Sequence, residues 1–303
     1  MNHWKNILLI YNPHAGRSVI KQSLHQVIDI LSNGGALVTA YPTKAKADAL
    51  RFVGEIGASS ERFPYDVVVV SGGDGTLHEV VNAMMQLPEA KRVPIGYIPA
   101  GSTNDFATSH LIPTSLESAA KTIVNGQVLP FDIGRFGSRY FTYVAAFGSF
   151  TDVTYDTPQE IKNIWGHMAY VIEGARRLPG YKPEHLRIIA DAERFEGDFY
   201  LGMIANTTSV GGLQIKGGDI SLRDGYSELI LIRYFQDPLQ NLSTLNAVLA
   251  QDFSSPAIIY RKAITVRFLS DHSIPWTLDG EYGGEHSDVI ATTCKGALRF
   301  ICP

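Results

Sequence analysis

Four consecutive valines run directly into a glycine-rich loop in the stretch VVVVSGGDGT, residues 67–76. An uninterrupted β-branched run of this kind is typical of a strand buried on both faces of a sheet. Apolar residues return to helical spacing over residues 77–87, so the loop is predicted to join a strand to a helix. Glycines at 72, 73 and 75 allow backbone N–H groups to approach a ligand closely, and the N-terminus of the following helix favours an anion.

The alternative interpretation of this loop is a tight turn that only requires glycine. Asp74 argues against it, because a charged side chain among glycines needs a partner. The loop matches neither of the nucleotide-binding patterns GxxxxGK[ST] and GxGxxG. Its place at the carboxyl end of a strand is where open α/β sheets bind ligands, and we therefore predict that it binds an anion.

The segments around the loop predict an α/β domain. Strands are expected over residues 7–10, 36–41, 67–70 and 95–98. Helical patterns lie over residues 20–31 and 47–53, and Thr43 is expected to cap the second of these helices. Strands and helices that alternate at this spacing predict a parallel sheet with flanking helices.

A second domain is expected after about residue 128, where strands follow one another with few helices. Strand-like segments lie over residues 131–144, 186–190, 199–205, 227–233, 263–268 and 298–302, and helical patterns over 158–177 and 238–249. This order predicts a mainly antiparallel β domain. We therefore divide the chain into an α/β domain, residues 1–128, and a β-rich domain, residues 129–303, whose last strand could return toward the first domain.

Composition narrows the class of protein. The 303 residues carry a net charge of −4, which argues against a nucleic-acid binder because such a surface is basic. Cys294 and Cys302 are too far apart along a predicted strand for a disulfide, which indicates a reducing compartment. We expect a soluble, cytoplasmic protein, because the sequence shows neither a signal peptide nor an apolar run long enough to span a membrane. Two subunits could pair through a hydrophobic edge strand to form a homodimer, but no segment of the sequence identifies such a strand.

Two further loops follow strand ends in the first domain, over residues 12–17 and 99–105. Each alone has a common turn composition. In a parallel sheet, however, the carboxyl ends of neighbouring strands meet at one edge. Three turns rich in N–H and hydroxyl donors at that edge predict a phosphate-binding site.

The three loops together resemble those of the bacterial diacylglycerol kinase-like lipid kinases, which are related to diacylglycerol and sphingosine kinases. The similarity extends over nearly the whole chain, through Glu79, Asn82, residues 132–134 and the sequence Asp279-Gly280-Glu281. The glycine-Asp loop alone is shared with NAD kinases. The three loops together with Asp279-Gly280-Glu281 are much more specific for the lipid kinases than the glycine-Asp loop alone.

The resemblance implies a two-domain kinase that binds ATP in its first domain and holds the chemistry in the cleft between the domains. Asp74 would help to hold the catalytic Mg²⁺, and Glu281 would be the general base that deprotonates the lipid hydroxyl. A general base is needed because an alcohol is a poor nucleophile toward a polyanion. Ser102 stands where the family usually has threonine and keeps the hydroxyl group. The residues expected to contact ATP are Asn12, Pro13, His14, Ala15, Gly16, Thr43, Gly72, Gly73, Asp74, Gly75, Thr76 and Ser102.

Some members of the family hold a second, structural metal, and the matching candidate ligands here are Asp224 and the backbone carbonyls of Tyr226 and Glu228. Arg223 stands where an acidic residue is common. A cation beside a metal ion is unfavourable, so we favour an Asp-Gly turn without a metal.

The expected activity is the transfer of the ATP γ-phosphoryl group to a lipid hydroxyl, most simply from diacylglycerol to phosphatidic acid in phospholipid metabolism. Such a protein would associate peripherally with a membrane surface. Residues 161–170, followed by Arg176-Arg177, could form that contact, although a helix packed on the second sheet is the preferred interpretation. The alternatives are an NAD kinase-like enzyme that phosphorylates a soluble nucleotide, and a non-catalytic nucleotide- or lipid-binding regulator with the same fold.

Overall fold

The computed structural model describes residues 4–16, 19–102, 104–148, 182–210, 213–214, 221–250 and 252–303. The chain forms two compact units, one of Met1–Asp132 with Gly296–Pro303 and the other of Ile133–Lys295. The chain passes between them twice, and both crossings lie within strands, β5 (Gln127–Phe136) and β15 (Glu281–Cys302). The division that the sequence suggested, at residue 128, falls within β5.

The first unit is built on strands that pair in parallel. The order is β2–β1–β3–β4, and the end of β15 lies beside β4 through Phe300 and Ile95. The four valines of β3 are completely buried, as their sequence predicted. The strands are β1 (Asn6–Tyr11), β2 (Leu37–Pro42), β3 (Val67–Gly72) and β4 (Ile95–Pro99).

Helices cover this sheet, and their apolar faces pack on it. One core cluster joins Ile20 and Val27 of α1 and Ile123 of α5 to alternate residues of β1 and β3. Helix α5 (Leu116–Asn125) is not among the predicted elements, although its apolar residues have helical spacing and Ser115 Oγ accepts the N–H of Ser118 at 3.1 Å. These apolar residues are Leu116, Ala119, Ala120 and Ile123. The helices are α1 (Val19–Ser32), α2 (Asp48–Ser59), α3 (Asp74–Gln86), α4 (Asp105–Ser109), α5 (Leu116–Asn125) and a short 3-10 helix (Glu89–Lys91).

The expected cap at Thr43 is wrong. Helix α2 begins at Asp48, and its N-cap residue Ala47 has left-handed backbone geometry with φ 65° and makes no side-chain cap bond. Thr43 instead continues the pattern of the sheet, because its N–H donates to the carbonyl of Tyr11 at 2.9 Å. The helix starts later because other groups bind its first N–H donors, as described below.

The second unit consists mainly of antiparallel strands. Strands β13, β12, β9, β7, β14 and β15 are neighbours in that order, and β8 pairs with both β9 and β14. Trp276 is completely buried at the centre of its core, with its ring centroid 4.8 Å from that of Phe268 and 4.9 Å from that of Phe147. The remaining elements are β6 (Arg139–Phe141), β7 (Val144–Gly148), β8 (Glu184–Ala190), β9 (Glu193–Ala205), β10 (Ser209–Val210), β11 (Leu213–Gln214), β12 (Ser227–Arg233), α6 (Pro238–Ala250), β13 (Ile258–Ala263) and β14 (Thr265–Leu278).

The two units confirm the predicted combination of an α/β domain and an antiparallel β domain. Cys294 and Cys302 both lie on β15 as thiols, as expected. The helix expected over residues 158–177 and the possible membrane segment over 161–170 lie outside the described residues. Among the helices that are described, none has the length and apolar character needed to cross a membrane.

Candidate active site

The three predicted loops lie at the carboxyl edge of the first unit's sheet. The strand ends are in register there, with Tyr11 opposite Ser71 and Gly72 opposite Pro99. Backbone hydrogen bonds continue past the strands into the loops. The Asn12 N–H donates to Ser71 O at 2.8 Å, and the Ala100 N–H donates to Gly72 O at 2.8 Å. The structure therefore brings residues 12–16, 71–76 and 99–102 together at one edge.

Two glycines allow the loop backbones to touch. Gly16 has φ +53°, and a Cβ atom placed on it would lie 2.5 Å from the carbonyl oxygen of Ala100. A Cβ atom on Gly101 would lie 2.5 Å from the Cα of Gly73. Such distances are far inside van der Waals contact, so any side chain at these positions would push the loops apart.

Helix α3 directs its N-terminus into this loop cluster. Asp74 is its first residue, and Gly73 forms its N-cap with extended backbone and no side-chain cap bond. The first N–H groups of a helix have no intrahelical acceptor and carry the positive end of the helix dipole. The arrangement is suited to an anionic group such as phosphate.

Asp74 is joined at this edge by a second carboxylate, Asp105. Asp74 Oδ2 accepts the backbone N–H of Asp105 at 3.1 Å. Asp105 is buried and is the first residue of α4. Asn104, with φ 56°, fixes the approach to that helix, since its Oδ1 accepts the Gly101 N–H at 3.0 Å and its Nδ2 donates to Gly101 O at 2.9 Å. Asp105 belongs to the predicted loop over residues 99–105 but is not among the predicted site residues. Its place at a helix start after a buried strand is the local signal for such a role.

Tyr97 connects two of the loops through its hydroxyl group. Its hydroxyl donates to Gly72 O at 3.2 Å and lies 3.3 Å from Asn104 Oδ1, so one phenol contacts two of the loops. Burial, followed by the negative charges of Asp74 and Asp105, raises the pKa of Tyr97 well above its ordinary value. The phenol therefore stays protonated and remains a hydrogen-bond donor.

Glu79 binds the connection that carries Thr43 to helix α3. Its Oε1 accepts the N–H of Ala47 at 2.7 Å, and its Oε2 accepts the N–H of Ala49 at 3.1 Å. The bond to Ala49 satisfies an N–H group that a cap side chain would otherwise bind, and the bond to Ala47 satisfies the N–H of the N-cap residue itself. The carboxylate of Asp48 adds a bond from the Lys44 N–H at 2.9 Å, and hydrogen bonding from Arg51 lowers the pKa of Asp48.

The remaining predicted residues of the first unit occupy the same loops. Asn12 Oδ1 accepts the N–H of His14 at 2.9 Å, which closes a side-chain turn around Pro13. Ala15 and Thr76 are buried, whereas Ser102 is exposed at the loop tip. Its neighbour Thr103 lies outside the described residues.

Glu281 lies in the second unit, at the start of β15. It pairs with Leu278 across a hairpin whose two loop residues, Asp279 and Gly280, have φ 52° and 80°. Two consecutive residues with positive φ characterise a type I′ turn, for which Asp-Gly is a preferred sequence. Glu281 is partly exposed beside this turn.

Two of the predicted structural metal-binding residues in the second unit, Asp224 and Glu228, lie near Lys262. Asp224 Oδ2 binds Lys262 Nζ at 2.9 Å, Asp224 Oδ1 accepts the Tyr226 N–H at 3.0 Å, and Lys295 Nζ donates to Asp224 O at 3.2 Å. Glu228 is buried 4.0 Å from Lys262, and burial raises its pKa to about 7. No cluster of acidic, His or Cys side chains suited to a metal occurs in the described part of the chain. These residues fit a lysine-bridged Asp-Gly turn better than a metal site.

Comparison with known proteins gives matches to both units. The model of the diacylglycerol kinase catalytic domain matches residues 6–136, and that of the YegS C-terminal NAD kinase beta sandwich-like domain matches residues 149–302. A diacylglycerol kinase of Staphylococcus saprophyticus is 36% identical over 286 residues, covering 93% of this chain and 90% of that protein. A diacylglycerol kinase of Bacillus subtilis is 34% identical over 282 residues, covering 92% and 91%.

Solved structures share the fold. A diacylglycerol kinase from Bacillus anthracis matches with a TM-score of 0.78 and 20% identity, covering 100% of this chain and 98% of the other. A second structure from the same organism matches with a TM-score of 0.84 and 21% identity, covering 100% and 97%. Identity at this level speaks for the fold alone.

Replacing Glu79 tests whether it holds the start of α2. We expect Glu79→Ala to cost about 0.5–2 kcal/mol of unfolding free energy, the usual effect of losing a helix cap. Amide exchange at residues 47 and 49 should become faster, while exchange in β3 stays slow. Exposed Glu89, replaced by Ala in the same way, is the matched control. Unchanged exchange at residues 47 and 49 would show that Glu79 does not cap this helix.

Proposed function

The chain belongs to the diacylglycerol kinase family, and we propose that it transfers the γ-phosphoryl group of ATP to a lipid hydroxyl group. The proposed acceptor is diacylglycerol, and the product is phosphatidic acid. The observation that carries the proposal is the contact of the three glycine loops beside the N-terminus of α3. That edge offers backbone N–H groups, which can donate to the phosphates of a nucleoside triphosphate, and two carboxylates, which can bind its Mg²⁺ ion.

ATP would bind along this edge in the first unit. The backbone of residues 72–76 and the start of α3 would face its phosphates, and residues 12–16 would close over them. Thr43 follows β2 at the same edge and would contact the nucleotide, as would the exposed hydroxyl of Ser102. The packing of Gly16 and Gly101 supports this assignment, because it brings the backbones of the loops together beside the start of α3.

Asp74 and Asp105 would hold the catalytic Mg²⁺. The fit is chemical: both residues supply carboxylate oxygens, the ligands that Mg²⁺ prefers, and they are neighbours through the bond from the Asp105 N–H to Asp74 Oδ2. When bound, Mg²⁺ neutralises charge on the transferring phosphoryl group. Glu79 keeps α3, which carries Asp74, in fixed relation to the connection that carries Thr43.

Glu281 would act as the general base. As the lipid oxygen forms its bond to the γ-phosphorus, the bond to the β–γ bridging oxygen breaks and ADP leaves. The hydroxyl proton passes to the Glu281 carboxylate. Glu281 is partly exposed at the start of β15, directly after the turn, so its carboxylate is accessible to a substrate. A carboxylate in the core would not be.

The acceptor lies in a bilayer, so we propose that the protein works at a membrane surface as a peripheral protein, either alone or as a homodimer. The name of the matching second-unit model also refers to an NAD kinase sandwich, which keeps a soluble nucleotide as the alternative acceptor. Parallel incubations with labelled ATP and either diacylglycerol vesicles or NAD distinguish a lipid acceptor from a soluble nucleotide acceptor. Labelled phosphatidic acid alone supports the proposal, labelled NADP alone contradicts it, and ATP unused across a lipid panel points to a non-catalytic regulator.

Two substitutions test the proposed chemistry. We expect Asp74→Asn and Glu281→Gln each to lower kcat by at least about a hundredfold, the usual contribution of a catalytic acid–base or electrostatic group. Glu285→Gln, an exposed substitution on the same strand as Glu281, should leave kcat unchanged. Circular dichroism and the unfolding midpoint check that the variants are folded. A folded Glu281→Gln protein with normal turnover would remove Glu281 from the mechanism.

Metal removal tests the proposed catalytic metal and, separately, whether a structural metal is present. Excess EDTA should stop turnover, and added Mg²⁺ should restore it, because the phosphoryl transfer requires the ion. The thermal unfolding midpoint of the nucleotide-free protein should not change, since Lys262 Nζ binds the Asp224 carboxylate that a structural metal would need. A midpoint several degrees lower in EDTA would instead place a structural metal at Asp224, Tyr226 and Glu228.

A further inference from the structure

Four hydrogen bonds to the Asp279 carboxylate come from residues 142–144, two at each oxygen. Oδ2 receives the N–H of Thr142 at 2.7 Å and its hydroxyl at 2.9 Å. Oδ1 receives the N–H of Tyr143 at 2.9 Å and that of Val144 at 3.1 Å. Asp279 is 4% exposed and Thr142 is 2% exposed, so these bonds are shielded from water. Buried bonds to a carboxylate are among the stronger hydrogen bonds in proteins.

These donors all come from residues 142–144, which link β6 to the first residue of β7 and are far from Asp279 in sequence. The backbone adds a fifth bond in the reverse direction, since the Asp279 N–H donates to Val144 O at 2.9 Å. The turn is therefore attached to residues 142–144 through both its main chain and its side chain. It cannot shift without breaking several bonds at once.

The fixed residue is two positions before Glu281. Because the hairpin loop contains only Asp279 and Gly280, the backbone at Asp279 sets where β15 begins and where Glu281 points. Asp279 has φ 52°, a conformation that Asp and Asn tolerate better than most residues. Turn geometry alone therefore explains an Asp at this position but leaves its burial and its four donors unexplained.

A second hairpin of the same unit shows what a turn alone requires. Asp191 lies in the two-residue loop between β8 and β9, where Ala190 pairs with Glu193, and it also has positive φ, 48°. It is exposed, and its carboxylate accepts two backbone N–H groups, from Ile264 at 3.0 Å and Thr265 at 2.9 Å. Asp279 has twice as many donors and is buried, and it is the one next to the proposed base.

We propose that Asp279 is a positioning residue that holds Glu281 in the geometry required for deprotonating the acceptor hydroxyl, by tying the Asp-Gly turn to residues 142–144. The inference rests on the proposed function, in which Glu281 is the base. Asp279 itself takes no proton and touches no reacting atom.

Asp279→Asn is the decisive variant, because asparagine keeps the shape and the tolerance for positive φ. Its amide replaces one acceptor oxygen with a donor group that faces two N–H or O–H donors. We expect kcat for lipid phosphorylation to fall by about tenfold to a hundredfold, as a small misplacement of a catalytic group does. The KM for ATP should stay within about twofold, because ATP binding belongs to the first unit. Asp191→Asn, the matched control, should leave both unchanged.

Amide exchange shows whether the substitution acts where expected. Asp279→Asn should speed exchange at residues 142–144, and Asp191→Asn should speed exchange at residues 264 and 265. If Asp279→Asn speeds exchange at 142–144 but keeps wild-type kcat, the bonds are structural only and the inference is overturned. A wild-type protein that phosphorylates no lipid contradicts the proposed function itself, which is a separate result.

A milder pair of variants applies if Asp279→Asn does not fold. Thr142→Val removes one of the four donors and preserves the side-chain shape, so kcat should fall by about threefold to tenfold, the effect of one lost hydrogen bond. Thr142→Ser keeps the hydroxyl group and should restore kcat to within about twofold of wild type. Equal kcat values for the Val and Ser variants would overturn the inference.

Discussion

Direct contact between backbones of the glycine loops is the constraint on which the site of the first unit depends. Gly16 meets the Ala100 carbonyl, and Gly101 meets Gly73, at distances that exclude even one methyl group. The parallel sheet makes this contact possible by ending β1, β3 and β4 at the same edge. The proposed ATP site depends on that closeness, because it gathers main-chain N–H groups of the loops beside the start of α3.

Carboxylates that accept backbone N–H groups fix the other parts of the machinery. Glu79 holds the start of α2, Asp74 accepts the N–H that begins α4, and Asp279 holds residues 142–144. In each case a charged group satisfies main-chain donors that regular secondary structure leaves unpaired. The same bonds join segments distant in sequence, so the residues proposed for chemistry lie on backbone that has little freedom to move.

Much of the fold could be predicted from local sequence. The valine run, the helical spacing after it and the turn residues determine β3, α3 and the convergence of three loops, because each depends on periodicity or on glycine chemistry nearby. The type I′ turn at Asp279-Gly280 belongs to the same class. The expected cap at Thr43 was wrong since a cap can be supplied from elsewhere; here Glu79, on another helix, binds those donors.

Long-range partners were beyond the sequence. Nothing near Asp279 specifies that residues 142–144 bind its carboxylate, and nothing near Asp224 specifies Lys262. The resemblance to lipid kinases predicts roles for Asp74 and Glu281, whereas the role proposed for Asp105 depends on the contact of its N–H with Asp74 in the folded chain. Side chains that position others leave a weak local signal, because their partners are set by the tertiary fold.

The most direct test of the central claim is calorimetric titration of Gly101→Ala with Mg²⁺-ATP. The added Cβ would lie 2.5 Å from the Gly73 Cα and must separate the two loops. We expect the dissociation constant to rise by at least about tenfold in a protein that remains folded. Gly34→Ala, where no atom lies within 4 Å of the added Cβ, should bind like wild type. Wild-type affinity in folded Gly101→Ala would contradict the claim that loop contact builds the ATP site.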